Sequence, residues 1–311
     1  MSDKVYDVII IGGGPAGLSS VIYARRAELS VLLIERAILG GQIFQTSEID
    51  NYPGGIKGES GAEFSERLSK QAESFEYEKA SDFVVDVDFS SDIKIIKCNN
   101  GEYRSRAVII ATGAEFTQIG IPGESEYTGR GVSYCATCDA PFFRDLEVFV
   151  VGGGNTAVEE AIYLAKFAKK VTIIHRRDEL RAAKSIQNKA FTEDNIDFML
   201  DTVVKEIKGE DLLKSIVVEN VKTGKIREIC ANPGDGTFGV FVFVGLKPLT
   251  DVFDGKISME NGYIVTDENM KTSVDNVYAA GDVRKKNLRQ IVTAVSDGAI
   301  AAVEIEKNLA K

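Results

Sequence analysis

The sequence has few of the residues that cross-link a fold or hold a metal: of its 311 residues, four are cysteine and one is histidine. Four cysteines are too few for a disulfide-dense mini-protein. Long apolar runs are also missing, since none approaches the roughly 18 residues that suggest a membrane span. The apolar run at residues 8–11 is too short for the core of a signal peptide. We therefore expect a cytoplasmic protein with no membrane partner.

Positive charge is scarce as well. Lysine and arginine number 37 against 47 aspartates and glutamates, so the net charge is −10. Nucleic acids and anionic membranes need a basic footprint on the protein, so we expect neither as the main partner. The apolar fraction of 44% and the charged fraction of 27% are typical of a soluble globular protein. A chain of this length suggests two domains.

One pattern occurs twice in the chain. In each copy a β-branched apolar strand runs into a glycine motif and a helix, and a second strand follows. The glycine motifs are residues 12–17 and 152–157, and the second strands end at Glu35 and His175, each 23 residues after the first glycine of its motif. Two βαβ units with the same internal spacing predict two dinucleotide-binding domains.

The segments around these units indicate how the domains are connected. Each unit is followed by a polar hairpin, which turns at residues 99–101 in the first and 223–224 in the second, and then by an apolar strand. A final amphipathic helix is expected at about residues 290–309. The second unit looks inserted into the first. We therefore predict an α/β fold of two Rossmann-like domains, with residues 1–117 and 249–311 in one and residues 118–248 in the other.

The first glycine motif contains the residues that hold a pyrophosphate. Gly12 permits a tight turn from strand to helix, Gly14 lets the backbone approach the phosphates, and Gly17 lets the helix pack closely on the strand. Glu35 can accept hydrogen bonds from both hydroxyls of an adenosine ribose. The motif therefore predicts an unphosphorylated dinucleotide, FAD. A glycine-rich turn with a structural role only is the alternative.

The second glycine motif follows the same rules, with Ala157 as its small third residue. Where the first copy has Glu35, the second has a basic cluster, formed by His175, Arg176, Arg177 and Arg181. A carboxylate at this point would repel a 2′-phosphate, whereas guanidinium groups bind one bidentately. The cluster therefore predicts NADPH, and a solvated basic face of a helix is the alternative.

Two of the cysteines form a C-x-x-C pair. Cys135 and Cys138 lie shortly before the second glycine motif, and Asp139 follows directly. Such a pair forms a small, reversible disulfide, and a neighbouring carboxylate can move a proton during exchange. The alternatives are two inert buried cysteines, or a zinc knuckle, which normally needs two more ligands. We expect no metal site, and we expect Cys98 and Cys230 to have structural roles.

These motifs resemble those of the low-molecular-weight bacterial thioredoxin reductases over essentially the whole chain. The most specific match is CATCDAPFF (135–143) directly before GGGNTA (152–157). The other matching stretches are GGGPAG (12–17), GGQ (40–42), NYPG (51–54), ATG (111–113), HRRDELRA (175–182) and AAGDVR…RQ (279–290). The resemblance implies FAD, NADPH, a redox-active disulfide between Cys135 and Cys138, thioredoxin as substrate and a homodimer.

The motifs and the resemblance together predict the site residues. The catalytic residues are Cys135, Cys138 and Asp139. The residues expected at the flavin are Gly12, Gly14, Pro15, Ala16, Gly17, Glu35, Arg36, Gly40, Gly41, Gln42, Asn51, Thr112, Gly113, Gly281, Asp282, Val283, Arg289, Gln290 and Ile291. Those expected at NADPH are Gly152, Gly154, Asn155, Thr156, Ala157, His175, Arg176, Arg177 and Arg181. Apart from the resemblance, Asn51, Gly281 and Asp282 could equally be simple turn residues.

The predicted mechanism is a relay in which a hydride passes from NADPH to the flavin, and electrons then pass to the disulfide and to thioredoxin. The NADPH site and the cysteine pair both belong to the inserted domain, and both must reach the flavin. The cysteines must also become accessible to a protein partner. We therefore expect the inserted domain to rotate about its two connections, near residues 114–120 and 246–250.

Four other functions compete with this one. Related reductases that draw electrons from ferredoxin lack the nicotinamide motif, which is present in this chain. The flavoprotein subunit of an alkyl hydroperoxide reductase carries an extra dithiol domain before the first glycine motif, whereas eleven residues precede Gly12 in this sequence. A small-molecule dithiol oxidase would pass electrons to oxygen. A nucleotide-sensing module without turnover would lack the cysteine pair.

Overall fold

The computed structural model describes residues 4–46, 48–49 and 51–310. The chain divides into two compact units. Unit one consists of Met1–Glu115 and Lys247–Lys311, and unit two is Phe116–Leu246. Unit two is thus inserted into unit one, and the chain changes unit within two residues of the boundaries expected from the sequence. Among the described residues, no helix is long and apolar enough to cross a membrane.

The described residues form α-helices, 3-10 helices and strands, numbered in chain order. The α-helices are α1 (Pro15–Arg26), α2 (Gly61–Glu73), α3 (Ala136–Asp139), α4 (Asn155–Leu164), α5 (Lys184–Phe191) and α6 (Ile291–Leu309). The 3-10 helices are Gly41–Gln45, Ala140–Phe143, Asp251–Phe253 and Gly281–Val283. The strands are β1 (Val5–Ile11), β2 (Val31–Glu35), β3 (Glu78–Ser81), β4 (Val84–Asp88), β5 (Lys94–Cys98), β6 (Glu102–Ile110), β7 (Ala114–Phe116), β8 (Val132–Ser133), β9 (Glu147–Val151), β10 (Lys170–Ile174), β11 (Ile196–Met199), β12 (Thr202–Gly209), β13 (Leu213–Asn220), β14 (Ile226–Cys230), β15 (Gly239–Val242), β16 (Leu246–Pro248), β17 (Met259–Glu260), β18 (Tyr263–Ile264) and β19 (Val277–Ala279).

The main sheet of unit one has the order β3-β2-β1-β6-β5-β4, and β19 pairs with β6. The strands β3, β2, β1, β6 and β19 run parallel, and in this register Ile10 lies between Leu33 and Ile109. Parallel strands with helices on their faces are buried on both sides, which explains their β-branched, apolar sequences. The sequence predicts an apolar strand at residues 107–113 that follows the hairpin. Instead, the hairpin strand and this strand form one continuous strand, β6.

Helices α1 and α6 pack against each other on one face of this sheet. Their close approach depends on Gly298, where a Cβ would lie 2.1 Å from the carbonyl oxygen of Ala16. The buried hydroxyl of Ser20 donates to the same carbonyl at 2.8 Å and lies 3.2 Å from the carbonyl oxygen of Gly298. The N-terminal end of α1, which begins at Pro15, is therefore fixed in place by the last helix of the chain.

Unit two contains a fully parallel sheet of the order β11-β10-β9-β15-β8 and an antiparallel sheet of the order β12-β13-β14. In the parallel sheet Val150 lies between Ile173 and Phe241. The predicted hairpin is formed by β13 and β14, and helix α4 covers the parallel sheet through Val158 and Leu164. A separate two-stranded sheet of β7 and β16 contains the two points at which the chain passes between the units.

Candidate functional site

The three glycines of the first motif have three different environments. Gly12 follows β1 with φ of 107°, and a Cβ there would lie 2.3 Å from the carbonyl oxygen of Ala111. A Cβ at Gly17 would lie 1.9 Å from the carbonyl oxygen of Gly12. Gly14 precedes α1, and a Cβ there would meet nothing within 4 Å. Gly12 and Gly17 therefore make the turn possible, while Gly14 leaves open space beside the unpaired amides of a helix N-terminus.

Glu35 lies at the end of β2 and is bound to the glycine motif. Its Oε2 accepts a hydrogen bond from the amide of Gly13 at 2.6 Å, and its Oε1 accepts one from the amide of Ala37 at 2.8 Å. Each carboxylate oxygen can accept a second hydrogen bond, which leaves capacity for two hydroxyl groups. The neighbouring Arg36 is exposed, and its guanidinium lies 5.7 Å from the ring centre of Phe83.

The segment after β2 folds back onto the same motif. The amide of Gly40 donates to the carbonyl of Gly13 at 2.9 Å. Gly40 has φ of 108° and contacts Ser65, while a Cβ at Gly41 would lie 3.5 Å from the Cα of Gly14. Gln42 donates through Nε2 to the carbonyl of Ala114 at 2.7 Å. The segment at Gly40 and Gly41 thus lies against the glycine motif, although it is 28 residues away from Gly12 in the sequence.

The ends of β6 and β19 bring two further segments to the motif. Thr112 donates through Oγ1 to the carbonyl of Leu249 at 2.7 Å, and the amide of Leu249 donates to the carbonyl of Gly113 at 3.0 Å. Gly281 follows β19 with φ of 80°, and a Cβ there would lie 2.9 Å from the Cβ of Ala16. Gly281 therefore lies against the start of α1, and Val283 beside it is buried.

Two side chains in this region carry buried polar atoms without a hydrogen-bond partner among the described residues. They are Oδ1 of Asp282 and Nε of Arg289. Burial raises the pKa of Asp282, as expected for a carboxyl group shielded from water. The guanidinium of Arg289 lies 4.1 Å from the ring centre of Tyr263. Buried polar groups normally have partners, so these atoms are available to a polar ligand bound in unit one.

The last predicted flavin residues lie at the start of α6. Asn51 donates through Nδ2 to Oε1 of Gln290 at 3.1 Å, so two segments distant in sequence meet at this point. Gln290 is the N-cap residue, and Ile291 is the first residue of the helix. The residues that the sequence predicts at the flavin therefore all belong to unit one, and hydrogen bonds or close contacts join several of their segments.

The second glycine motif repeats the turn of the first. Gly152 has φ of 152°, and a Cβ there would lie 2.5 Å from the carbonyl oxygen of Phe243. Gly154 precedes α4, and a Cβ there would meet nothing within 4 Å, as at Gly14 before α1. Ala157 is fully buried. Asn155 and Thr156 lie at the N-terminus of the helix, where a phosphate can accept from unpaired amides.

The basic segment after β10 folds against this motif. The amides of Arg181 and Ala182 donate to the carbonyl of Gly153 at 2.7 and 3.0 Å, and the amide of Ala183 donates to Oδ1 of Asn155 at 2.8 Å. Residues 175–183 contain no helix, so the alternative of a basic helix face is wrong. Three exposed side chains project from this segment: Arg176, Arg177 and Arg181.

His175 differs from the three arginines in its environment. It is only 5% exposed, and a Cβ at Gly153 would lie 2.3 Å from its Nδ1. Burial lowers the pKa of His175, and the positive charges of Arg181, Arg177 and Arg176 lower it further. The imidazole is therefore a neutral group that packs behind the middle glycine rather than a fourth surface cation.

The cysteine pair lies in the same unit as the second motif. Cys135 and Cys138 form a disulfide with their Cα atoms 5.3 Å apart, and both side chains are partly buried. Cys135 caps the short helix α3, whose first residue, Ala136, is buried in the same apolar cluster as Ala157 and other residues of α4. Asp139 ends α3 and is partly buried. The alternative of two inert buried thiols is therefore wrong.

The comparison with known families agrees with this arrangement. The sequence profile described as "Pyridine nucleotide-disulphide oxidoreductase" matches residues 6–298. The chain belongs to this family. The disulfide between Cys135 and Cys138 is one of the two chemical features that the family description names, and the prediction of a flavoprotein oxidoreductase is confirmed.

Individual members of the family match the chain over nearly its full length. A protein named thioredoxin reductase from Peptoclostridium acidaminophilum is 56% identical over 306 residues, which cover 98% of this chain and 97% of the relative. The solved thioredoxin reductase of Streptococcus pyogenes is 47% identical, with a TM-score of 0.94 and 99% of each chain covered. The solved enzyme of Lactococcus lactis is 46% identical, with a TM-score of 0.65, and 98% of this chain and 99% of that chain are covered. The predicted α/β fold of two dinucleotide-binding domains is confirmed.

This member of the family also has a buried acid beside the predicted flavin residues that the sequence did not indicate. Asp297, on α6, is only 6% exposed and accepts from the amide of Gly281 at 3.0 Å. The same carboxylate accepts from Arg284 at 2.9 Å and from Lys286 at 2.8 Å. It therefore holds the loop that carries Asp282. The one signal in the sequence was an acid among the apolar residues of the helix, with no motif spacing to connect it to its partners.

The two remaining cysteines of this family member have different environments. Cys98 is buried in β5, and burial raises the pKa of its thiol to about 12. Such a thiol is inert at neutral pH, which fits the structural role expected for it. Cys230 is exposed at the end of β14. Among the described residues, no three His, Cys, Asp or Glu side chains are grouped so that they could hold a metal ion.

Proposed function

We propose that the chain is a thioredoxin-disulfide reductase that uses NADPH, FAD and the Cys135–Cys138 disulfide. The observation that carries the proposal is the disulfide itself, which lies in the same unit as the second glycine motif. Ala136, between the two cysteines, belongs to the apolar cluster that contains Ala157. The names of relatives at 45–56% identity over 98% of the chain support thioredoxin as the substrate. A pair that can be reduced and reoxidised, placed beside a nucleotide site, is suited to pass electrons to another disulfide.

Unit one, which corresponds to the predicted domain of residues 1–117 and 249–311, is proposed to hold FAD. The pyrophosphate would lie at the open N-terminus of α1, beside Gly14, and the ribose hydroxyls would donate to Glu35. The unpartnered buried atoms of Asp282 and Arg289 are polar groups that such a ligand would satisfy. When bound, FAD supplies the two-electron chemistry that connects a nicotinamide to a disulfide. The chain's own residues fix its position and exclude water.

Unit two, which corresponds to the predicted domain of residues 118–248, is proposed to hold NADPH. The N-terminus of α4 beside Gly154 is open in the same way as that of α1. The exposed guanidinium groups of Arg176, Arg177 and Arg181 can surround a 2′-phosphate and bind it through charge-assisted hydrogen bonds. The neutral imidazole of His175 packs against Gly153, in the middle of the turn. Because it is neutral, its burial does not require desolvation of a charge.

The cysteines carry out the last part of the proposed reaction. The Cys135–Cys138 disulfide gains two electrons and two protons and becomes a dithiol. One thiolate then attacks the disulfide of thioredoxin, which forms a mixed disulfide and releases one thioredoxin thiol. The second cysteine attacks the mixed disulfide, which reforms Cys135–Cys138 and releases the second thiol. Asp139, at the end of the same helix, is proposed to accept and return a proton during these steps.

The proposed reaction needs the inserted unit to change position during turnover. The chain crosses between the units only within β7 and β16, which suits a hinge. A cross-link that locks the units should stop steady-state turnover and leave one half-reaction intact, and undiminished turnover would contradict the rotation.

The partner and the setting are proposed on the resemblance. We propose thioredoxin or a thioredoxin-like protein as the partner, a homodimer as the assembly and the cytoplasm as the location. A redox-active pair that must return to its dithiol form suits a reducing compartment, which supports the location. Size-exclusion chromatography with light scattering measures the assembly directly, and a mass of one chain would exclude the dimer.

The proposed function is tested by a disulfide reduction assay on the purified protein. NADPH, NADH and reduced ferredoxin are compared as electron donors, with and without thioredoxin. We expect reduction of thioredoxin with NADPH, weaker activity with NADH and none with ferredoxin. Yellow absorbance of the purified protein reports the flavin. Activity with ferredoxin alone would favour the ferredoxin-driven reductases, and a colourless protein without turnover would favour a nucleotide-sensing module.

A further inference from the structure

The buried carboxylate of Glu124 joins two parts of unit two that are functionally distinct. Glu124 is only 1% exposed. Its Oε1 accepts from the amide of Ile119 at 2.9 Å, and its Oε2 accepts from the amide of Gly120 at 2.7 Å. These amides belong to the connection through which the chain enters the unit. The hydroxyl of Tyr134 also donates to Oε1 of Glu124, at 2.9 Å.

Tyr134 lies directly before Cys135 and has a second contact with the connection. Its ring stacks on that of Phe116, the first residue of the unit, with the ring centres 5.5 Å apart and an angle of 19° between the planes. Burial raises the pKa of Tyr134, and its hydrogen bond to Glu124 raises it further. The phenol therefore remains a hydrogen-bond donor at any physiological pH.

The turn that carries Glu124 is itself fixed to the sheet of unit two. A Cβ at Gly123 would lie 2.0 Å from the carbonyl oxygen of Ile207 in β12, and the amide of Ile207 donates to the carbonyl of Pro122 at 3.0 Å. Glu124 thus has a rigid base and three donors on its two oxygens. Hydrogen bonds to a buried charged group are among the strongest in proteins.

We propose that Glu124 and Tyr134 are positioning residues that couple the entry connection to the redox-active disulfide. The amides of residues 119–120 and the hydroxyl of Tyr134 donate to the same carboxylate, so a displacement of these amides also displaces Tyr134. Tyr134 is the residue directly before Cys135, so the displacement reaches the disulfide. Gly120 has φ of 80°, so the connection bends where it is held. The inference rests on the proposed function in one respect: the connection is the segment about which the unit would rotate.

The coupling acts in both directions, because a free energy of coupling between two sites is reciprocal. Reduction of Cys135–Cys138 should therefore alter the protection of the amides of Ile119 and Gly120. A role of Glu124 in stability alone predicts no such response to the redox state.

The test is hydrogen exchange of the flavin-loaded protein in its oxidised form and after reduction with dithiothreitol. In the wild type we expect reduction to change the exchange rate of the peptide that contains residues 117–121 by about threefold. Tyr134→Phe keeps the ring and its stacking on Phe116 but removes the hydroxyl. In this variant we expect the response to reduction to disappear. Tyr127→Phe, a buried tyrosine outside the network, is the matched control and should keep the response.

A second measurement asks whether the network affects the redox equilibrium of the disulfide. The equilibrium between Cys135–Cys138 and dithiothreitol, measured by alkylation and mass spectrometry, should shift about threefold in Tyr134→Phe and in Glu124→Gln. The double variant should shift by less than the sum of the two single shifts, because both changes interrupt the same chain of hydrogen bonds. The proposed coupling would be overturned if the exchange rate of residues 117–121 in the wild type were the same before and after reduction. It would also be overturned if the change on reduction persisted in Tyr134→Phe. Dithiothreitol reduces the pair directly, so these results do not depend on NADPH or thioredoxin.

Discussion

The two glycine motifs share one backbone frame and differ in the residue that supports its middle glycine. In unit one, Glu35 accepts a hydrogen bond from the amide of Gly13. In unit two, the imidazole of His175 packs against Gly153. The last residue of β2 and the residue directly after β10 thus contact the middle glycine of their own units. One is a carboxylate and the other is a neutral ring.

In each unit the segment after the second strand folds back and donates a hydrogen bond to the carbonyl of the middle glycine. We call it the returning segment. The amide of Gly40 donates to the carbonyl of Gly13 at 2.9 Å, and the amide of Arg181 donates to the carbonyl of Gly153 at 2.7 Å. One frame therefore accommodates a returning segment with glycine at this position in unit one and with arginine in unit two. A carboxylate in one unit and a neutral imidazole in the other can therefore occupy equivalent positions, while the returning segment keeps its hydrogen bond to the middle glycine.

The greatest change is expected from substituting the cysteines of unit two, which should remove activity without affecting FAD binding in unit one. Changing Cys135 or Cys138 to Ser should abolish thioredoxin reduction, because no disulfide can form, while FAD remains bound in unit one and is still bleached by NADPH. Stopped-flow absorbance of the flavin and a thioredoxin assay measure the two parts. Cys230→Ser, which removes an exposed thiol, is the control and should keep full activity. Full activity in either of the first two variants would contradict the relay.

The next effect concerns the exposed arginines of the basic segment after β10. Replacing Arg176, Arg177 and Arg181 by Gln should raise the KM for NADPH far more than the KM for NADH, because each charge-assisted bond to a 2′-phosphate contributes about 1.5–3 kcal/mol. Steady-state kinetics with both nucleotides measure the difference. Arg227→Gln, an exposed arginine of β14, is the control. An unchanged preference between the nucleotides would make the cluster a solvated surface.

A smaller effect distinguishes the third small residue of the two motifs. Gly17→Ala should destabilise unit one by about 3 kcal/mol and release FAD, because the added methyl would lie 1.9 Å from the carbonyl oxygen of Gly12. Ala157→Gly should cost only about 1 kcal/mol, through lost burial and added backbone freedom. Urea unfolding followed by flavin fluorescence and by circular dichroism measures both. Equal effects of the two substitutions would mean that the motifs are packed alike.

The smallest effect is expected from His175, which packs against Gly153 in unit two, and it concerns the pH dependence of stability. The pKa of His175 is lower in the folded protein than its ordinary value of 6.5. The unfolded chain therefore binds a proton first as the pH falls, and stability present above pH 6.5 is lost below it. His175→Gln should reduce this loss between pH 7 and pH 5.5 in thermal unfolding experiments, relative to the wild type. A difference between wild type and variant that does not vary over this range would argue against a neutral buried imidazole.

The parts of the fold that the sequence predicted are those in which backbone geometry restricts the residue type. Gly12 and Gly152 have positive φ, and Gly17 lies against a carbonyl oxygen, so glycine spacing revealed both turns. The cysteine pair could also be predicted from its spacing, because the two partners of the disulfide are only three residues apart in the sequence. The final helix was predicted within one residue at its start, since its apolar periodicity is long.

The rest depended on contacts between residues distant in sequence. Asp297 meets Gly281, Arg284 and Lys286 only because α6 returns to the end of β19. Glu124 and Tyr134 are ten residues apart, and only the two-residue strand β8 lies between them, too short to give a period. The continuous strand β6 was predicted as two because its first half, which pairs with β5, is polar and its second half is apolar. Pattern analysis detects periodicity, and these features have none.

The order of synthesis follows from the insertion. The strand β19 and the helix α6, which complete the sheet and the helix pair of unit one, are made after the whole of unit two. The ribosome therefore releases unit two while β6 still lacks one of its neighbours and α1 lacks its partner. Since domains generally fold as units during synthesis, the inserted unit should reach its native state first. The outer unit then closes last, and its nascent half exposes the apolar face of α1 to chaperones in the interval.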